Sequence, residues 1–460
     1  MKKEYLRIDK VVGPLIHISD VDDVFYGEVV DIMEIGTGKI KKGKVIKIDE
    51  KNVIIQVFQN TAGLAAGNSI IKFTGESFNL PMSLDLQGRI FNGVGEPIDN
   101  GSDIFSLVEA NINGRPINPM SREYPRNFIQ TGISSIDTLA TLIRGQKLPI
   151  FSGNGLPHNE LAAQIVKQAR LGDNVDEDFA IVFAAIGVKH DDEKFFRKSF
   201  DDANVMDRVV MFVNYADDPI AERITTPRCA LTAAEYLAFE KHMHILVVMT
   251  DITSYCEALR EISSAREEVP SRKGYPGYMY SDLASLYERA GMLRDQLGSI
   301  TFLPILTMPN DDITHPIPDL TGYITEGQVV LGRDLFQRSI YPPVAILPSL
   351  SRLMKDGIGE GFTREDHAEV ANQLFASYSK VQEVRDLSQI IGEEDLSPTD
   401  KKYMAFGRAF EAKFLNQGFD ESRNIIQSLN LGWKLLALLP LTELDRLSPE
   451  NIEKYFHKEL

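Results

Sequence analysis

The sequence is short of cross-links, of long apolar runs and of positive charge, and each shortage excludes something. Only two of its 460 residues are cysteine, Cys229 and Cys256. Two are too few for a disulfide framework in a chain of this size, so a reducing compartment fits best. The apolar run around Ala180 to Val188 falls well below the ~20 residues that a bilayer-spanning helix needs. The N-terminal stretch MKKEYLRIDK carries basic residues with no apolar segment behind them, which does not read as a secretory signal. A membrane role would therefore run through partners. Lys and Arg number 49 against 66 Asp and Glu, a net charge of -17. Phosphate backbones are bound by Lys and Arg, so this balance argues against a nucleic-acid partner. Repeats and low-complexity tracts do not stand out.

The most informative shortage is local. FSGNGLPHNELAAQIVKQA, residues 151–169, follows the apolar run Leu148 to Phe151 and leads into an amphipathic helical pattern. That is the setting of a phosphate-binding loop, whose working form reads G-x-x-x-x-G-K-[ST]. Gly153 holds the first glycine position, while His158, Asn159 and Glu160 stand where Gly, Lys and Ser/Thr are required. The lysine for the β/γ-phosphates is missing, and a carboxylate replaces the hydroxyl for Mg²⁺. Gly153 and Gly155 still permit backbone N–H groups to face an anion. However, Pro157 has no N–H to donate, and Glu160 suits the helix dipole but repels an anion. The expected result is a degenerate loop that binds nucleotide weakly or not at all.

At this length two to four domains are expected. Residues 1–75 read as short strands (Val11 to Ile18, Glu28 to Ile35, Lys44 to Ile48, Val53 to Phe58) separated by Gly- and Asp-containing turns, which suggests a small β-barrel. Residues 76–355 alternate strand-like runs, at 148–151, 180–187, 208–213, 244–250, 301–307 and 343–347, with helical patterns. Such alternation implies a mostly parallel sheet covered on both faces. Residues 356–460 read as helices, with Val370, Leu374, Tyr378, Val381 and Val384 forming one apolar stripe and a second helical pattern over 398–417.

In such an α/β fold, ligands bind beyond the carboxyl ends of the strands. The strand HILVVMTD closes on Asp251, the usual Mg²⁺-water position in phosphate-loop enzymes, although an Asp there also caps the next turn. The strand ending at Gly187-Val188-Lys189 is where a water-activating carboxylate is expected, and Val188 cannot act as a base. His158, His242 and His244 show no metal-ligand spacing and read as structural; no metal site is expected within the chain. PSRKGYPGYMY, residues 270–280, is a basic, Gly/Pro-rich loop that reads either as a solvated turn or as a contact loop for another chain.

Longer segments carry a resemblance. NTAGLAAG (60–67), GLPHNELAAQI (155–165), ADDPIAERITTPRCALTAAEYLAFE (216–240), the run from Thr250 to Gly291, LTGYITEGQ (320–328) and YPPVAILPSLSRLMKDGIG (341–359) stand in this order. Together they resemble the B subunit of V-type and archaeal-type rotary ATPases over essentially the whole chain. The resemblance implies an N-terminal β-barrel, a central α/β phosphate-loop (RecA-like) domain and a C-terminal helical domain. It also implies a hexameric ring in which A and B subunits alternate, with ATP or ADP and Mg²⁺ at their interfaces, held mainly by the A subunit. The B subunit is then non-catalytic and regulatory. Gly187, Val188 and Lys189 match the catalytic subunit's Gly-Glu-Arg, so loop and base are both lost. Arg352 matches the family's arginine finger, supplied in trans to the A-subunit site, and Tyr323 matches a second position near the same nucleotide. Asp251 would be vestigial. Arg272, Lys273 and the C-terminal domain would face the central stalk rotor, the barrel would join the crown of the ring, and a peripheral stalk is a further partner. The complex would sit on the cytoplasmic face of a membrane and move H⁺ or Na⁺.

Two other readings compete. An independent homohexameric ATPase of the flagellar or secretion type shares this architecture but needs an intact Gly-Lys-Thr loop. A non-enzymatic scaffold has no feature of its own in the sequence.

Overall fold

The computed structural model describes residues 3–5, 8–65, 67–115, 117–172 and 177–456. Residues 1–2, 6–7 and 457–460 of the expected barrel and helical domain, and Ala66 of the 60–67 segment, lie outside the described residues. The chain divides into two compact units, each assembled from separated stretches: residues 1–118 with 180–289, and 119–179 with 290–460.

The first unit begins with a seven-stranded antiparallel sheet, the N-terminal β-barrel. Its strands alternate inward and outward, and the inward set (Ile16, Val30, Ile32, Ile55, Ile71 and Phe73 among others) makes one apolar core. The expected single strand from Val11 to Ile18 is a hairpin, Lys10–Val12 against Leu15–Ile18. Gly13, at φ +54, makes the turn that β-branched neighbours would resist. A further strand, Ser69–Ser77, pairs with both Lys3–Tyr5 and Glu28–Glu34.

The rest of this unit is α/β. Its strands Ile90–Asn92, Val209–Tyr215 and Phe179–Val188 pair in parallel, and His244–Thr250 continues the order. Ala180 through Ile186 are all fully buried, as a strand covered on both faces requires. One cover is the helix His190–Asp202, whose Phe196 and Phe200 rings lie 4.7 and 5.3 Å from that of Phe183.

In the second unit, Ile150–Gly153 lies between Ser299–Met308 and Gly327–Leu331, parallel to both, and Val344–Ser351 closes the edge antiparallel to Gly327–Leu331. The C-terminal region of this unit is helical. Its long helix His367–Ile391 buries Val370, Leu374, Tyr378, Val381 and Val384 as one stripe. The helical pattern at 398–417 is an α-helix, Pro398–Ala409, continued by a wider turn over Phe410–Leu415. Glu411 in that turn gathers Arg385, Arg338 and the Tyr378 hydroxyl at 2.6 to 2.8 Å, and burial of the acid is offset by these donors.

Two outcomes follow from this packing. A Cβ on Gly407 would stand 2.4 Å from Val381 Cγ1. Val381 is fully buried and, being β-branched on a helix, has one strongly preferred rotamer. Gly407→Ala should therefore destabilise the chain by about 1–3 kcal/mol despite its better helix propensity, read as a lower urea midpoint at unchanged slope. The second outcome concerns His367, fully buried, with Nε2 3.0 Å from the Thr138 carbonyl and Nδ1 3.0 Å from the Thr363 hydroxyl. Burial pushes its pKa down from 6.5 to about 4. The unfolded chain then takes up a proton that the folded chain refuses, so stability held above pH 6.5 is lost on acidification, by roughly 2 kcal/mol at pH 5. His367→Gln should flatten that part of the pH dependence in denaturation at pH 7 and pH 5.

Candidate functional site

The degenerate loop keeps the backbone form of a phosphate loop. Strand Ile150–Gly153 passes through a turn with Gly155 at φ +76 into the helix His158–Gln168. Its side chains do different work. His158 sets Nδ1 3.1 Å from the Ser152 hydroxyl, tying helix start to strand end. Asn159 is half-buried and Glu160 exposed. Glu160 adds negative charge next to Tyr341, whose phenol is held well above its ordinary value mainly by burial. Tyr341 donates to Gln164 at 2.9 Å. Lys167, further along the same helix, is taken up by Asp420 at 2.7 Å and the Phe419 ring at 3.7 Å. At the strand end, an Arg333–Asp311 ion pair lies against Gly153, with Arg333 also donating to the Asn154 carbonyl at 2.9 Å. The donor set at the helix start thus lacks an ammonium or hydroxyl suited to Mg²⁺-triphosphate and includes a carboxylate. These residues do not fit that ligand on their own.

The opposite chemistry appears at the edge of the same unit. Arg352 is exposed in the turn after Val344–Ser351, and among the described residues its side chain makes no ion pair or hydrogen bond. Asp356, its nearest carboxylate in sequence, accepts from the Tyr124 hydroxyl at 2.9 Å instead. Tyr323, 74% exposed, sits near the end of the helix Pro316–Ile324. Glu326, just after that helix, holds the Arg352 backbone. Its carbonyl accepts the Arg352 N–H at 2.9 Å and Gln146 Nε2 at 3.1 Å, while its carboxylate binds the Lys147 N–H at 2.8 Å and Nζ at 3.0 Å. Lys147 is buried, three residues before the phosphate-loop strand. Sequence reasoning missed this clasp; a Lys and a Glu far apart in the chain give no pairing signal.

The remaining candidates lie in the first unit. Val188 is buried, and the strand bulges at Gly187, which has φ +67. Asn214 holds the bulge by accepting from the Gly187 N–H at 3.2 Å and Arg223 Nε at 2.9 Å. Lys189 caps the following helix through its N–H to Asp192. Asp251 accepts from the Thr253 N–H at 2.8 Å and caps the helix Ile252–Ala265. Arg272 and Lys273 are exposed in a loop closed by the Ser271 N–H to the Tyr275 carbonyl at 2.8 Å. His244 is buried at the start of its strand. Glu222, not singled out from the sequence, is buried and accepts from the Gly93 N–H at 3.0 Å; burial raises its pKa to about 7.

Three family models cover most of the chain. The beta-barrel domain of the ATP synthase alpha/beta family matches residues 8–75, the nucleotide-binding domain of that family matches 132–351, and the C-terminal domain of V and A type ATP synthase matches 356–456. V-type ATP synthase beta chain 2 of Clostridium tetani (strain Massachusetts / E88) is 67% identical over 457 residues, 99% of each chain. This chain belongs to the V-type ATP synthase beta chain family. The beta chain of Halothermothrix orenii (strain H 168 / OCM 544 / DSM 9562) is 62% identical over 99% of this chain and 98% of its own. Among solved structures, the ATP synthase subunit NeqB from Nanoarcheaum equitans covers 93% of this chain and 100% of its own, at TM-score 0.74 and 42% identity. The chain is thus a subunit of a V-type ATP synthase, with the nucleotide-binding domain of an ATP-binding family. No helix among the described residues is long and apolar enough to cross a membrane.

Restoring the loop alone is not expected to restore chemistry. Asn159→Lys combined with Glu160→Thr supplies the phosphate lysine and the metal hydroxyl, but buried Val188 still supplies no base. ATP turnover by the purified double variant should stay at the background of the unsubstituted chain, measured as phosphate release.

Proposed function

We propose that this chain is the non-catalytic, regulatory subunit of the ring, alternating with catalytic A subunits and supplying Arg352 in trans to the nucleotide they hold. The observation that carries this reading is Arg352 itself. It is exposed, without an internal anion among the described residues, and fixed through its backbone by Glu326. A guanidinium is charged at any working pH and offers a planar fork of donors, which suits a developing γ-phosphate charge. Tyr323 would contact the same nucleotide. ATP or ADP and Mg²⁺ would be held mainly by the A subunit, whose loop and carboxylate supply what His158, Asn159, Glu160 and Val188 lack here. When bound, the metal would neutralise phosphate charge as the β–γ bond breaks.

In this reading the chain has three functional domains. Residues 1–75 join the crown, 76–355 form the interface sites, and 356–460 meet the central stalk together with Arg272 and Lys273. A peripheral stalk holds the ring static. Hydrolysis or synthesis is coupled to rotation and ion transport, with the ring peripheral to the cytoplasmic face of the membrane.

Arg352→Ala tests the assignment in the reconstituted ring. Assembly, followed by native mass spectrometry, should be unchanged, because the side chain holds nothing internal. ATPase activity should fall by about 10³ to 10⁵. A mutant ring with unchanged turnover would refute the finger role.

A further inference from the structure

The first unit contains a cavity of about 440 Å³, lined by the barrel and by helices of the α/β part. It lies outside the loop and edge described above, and its volume is within the range of roughly 300 to 1,000 Å³ typical of small-molecule sites. Its walls mix polar and apolar groups, the apolar side formed by Val45 and Ile46 from the barrel and Leu259 and Ile262 from the helix Ile252–Ala265. Tyr26, 72% exposed, and Tyr278 add aromatic rings.

The polar groups in this cavity are unbalanced. Lys44, Arg228 and Arg266 contribute three positive charges, and Asp282 and Glu268 only two negative ones. Asp282 is committed to Arg228 at 2.8 Å and to the Tyr255 hydroxyl. Arg266 donates to Gln56 Oε1 at 3.0 Å and stands 3.6 Å from Glu268, while its Nε is buried without a partner among the described residues. The Lys44 side chain makes no hydrogen bond or ion pair among the described residues. Desolvation, then the charges of Arg228 and Arg266, push its pKa down to about 8. A cation facing two guanidinium groups, only partly offset by Asp282, is costly in a partly apolar cavity, and an anion placed among them lowers that cost. Glu268 Oε2, buried without a partner, opposes a bare anion and favours a ligand that also carries a hydroxyl or N–H donor.

We propose that this cavity binds a small organic anion, with one phosphate or carboxylate group set between Lys44 and Arg266 and an aromatic or aliphatic body against the apolar wall. Such a ligand would bridge the barrel to the α/β part and tighten their junction.

Amine-directed reductive methylation at pH 8, mapped by peptide mass spectrometry on the full chain, tests this. Lys42 and Lys47, exposed on the same strand as Lys44, serve as internal references. The probes are inorganic phosphate and phenyl phosphate, with chloride at matched ionic strength as control. At a free probe concentration of about twice its Kd, labelling of Lys44 should fall about threefold while Lys42 and Lys47 are unchanged. Protection by both probes assigns the anionic group alone. Protection by phenyl phosphate only assigns the amphipathic ligand. Arg266→Gln should abolish either protection while leaving Lys44 reactive. Equal labelling of Lys44 with and without both probes, or equal protection of all three lysines, would overturn the proposal.

Discussion

Glu326 is the residue on which the exposed edge of the second unit depends. Its carboxylate holds the backbone and ammonium of buried Lys147, and its carbonyl holds the backbone of Arg352. Lys147 leads into the strand that ends in the degenerate loop, and Tyr323 precedes Glu326 on the adjoining helix. One acid therefore fixes the base of the loop strand and the turn that carries the arginine. Removing that carboxylate would take an ion-pair partner from a buried lysine, so the pair cannot be broken from one side cheaply. The Arg352 guanidinium takes no part in this and is exposed.

The lost loop chemistry fits the same logic. A phosphate loop binds through a lysine point charge, backbone N–H groups and a positive helix end acting together. Replacing Lys by Asn159 removes the first, and Glu160 sets a negative charge against the last. The strand–turn–helix remains because it rests on the buried residues of Ile150–Gly153 and of the helix behind it, such as Leu161 and Ile165, none of which needs a ligand. Fold and site are separable here, because packing alone keeps the strand–turn–helix.

How much of this was legible in the sequence depended on how local the determining interaction was. The parallel strands were readable because burial on both faces demands continuous apolar runs, as from Ala180 to Ile186. The helix stripe from Val370 to Val384 was readable because its period is internal to one element. Gly327–Leu331 was missed; its five residues, GQVVL, are short and bounded by glycines at 327 and 332. The partners of Ser69–Ser77 could not be read from it, because they lie far away in the chain. The loss of the loop lysine could be read directly. The exposure of Arg352 could not, because a lone Arg after a strand looks the same whether it is paired or presented. The Glu326 clasp and the Lys44 cavity depend on long-range packing that no local pattern encodes.

The state of Arg352 also bears on cost. An arginine paired to an internal carboxylate would have to give up that bond before reaching a phosphate, and part of the new interaction would be spent on breaking the old one. In a chain of net charge -17, carboxylates are abundant, so an exposed arginine without one is not the default outcome. The carboxylate nearest in sequence, Asp356, is occupied by Tyr124, and Glu326 is occupied by Lys147. The Arg352 backbone is tied to Glu326 while its head group is uncommitted among the described residues, and in the proposed finger role this would be the pre-organisation that electrostatic stabilisation of a transition state requires. The same reasoning separates backbone from side chain in function: weakening the Glu326 clasp would blur where the guanidinium sits, whereas removing the guanidinium would leave the edge folded and the charge absent.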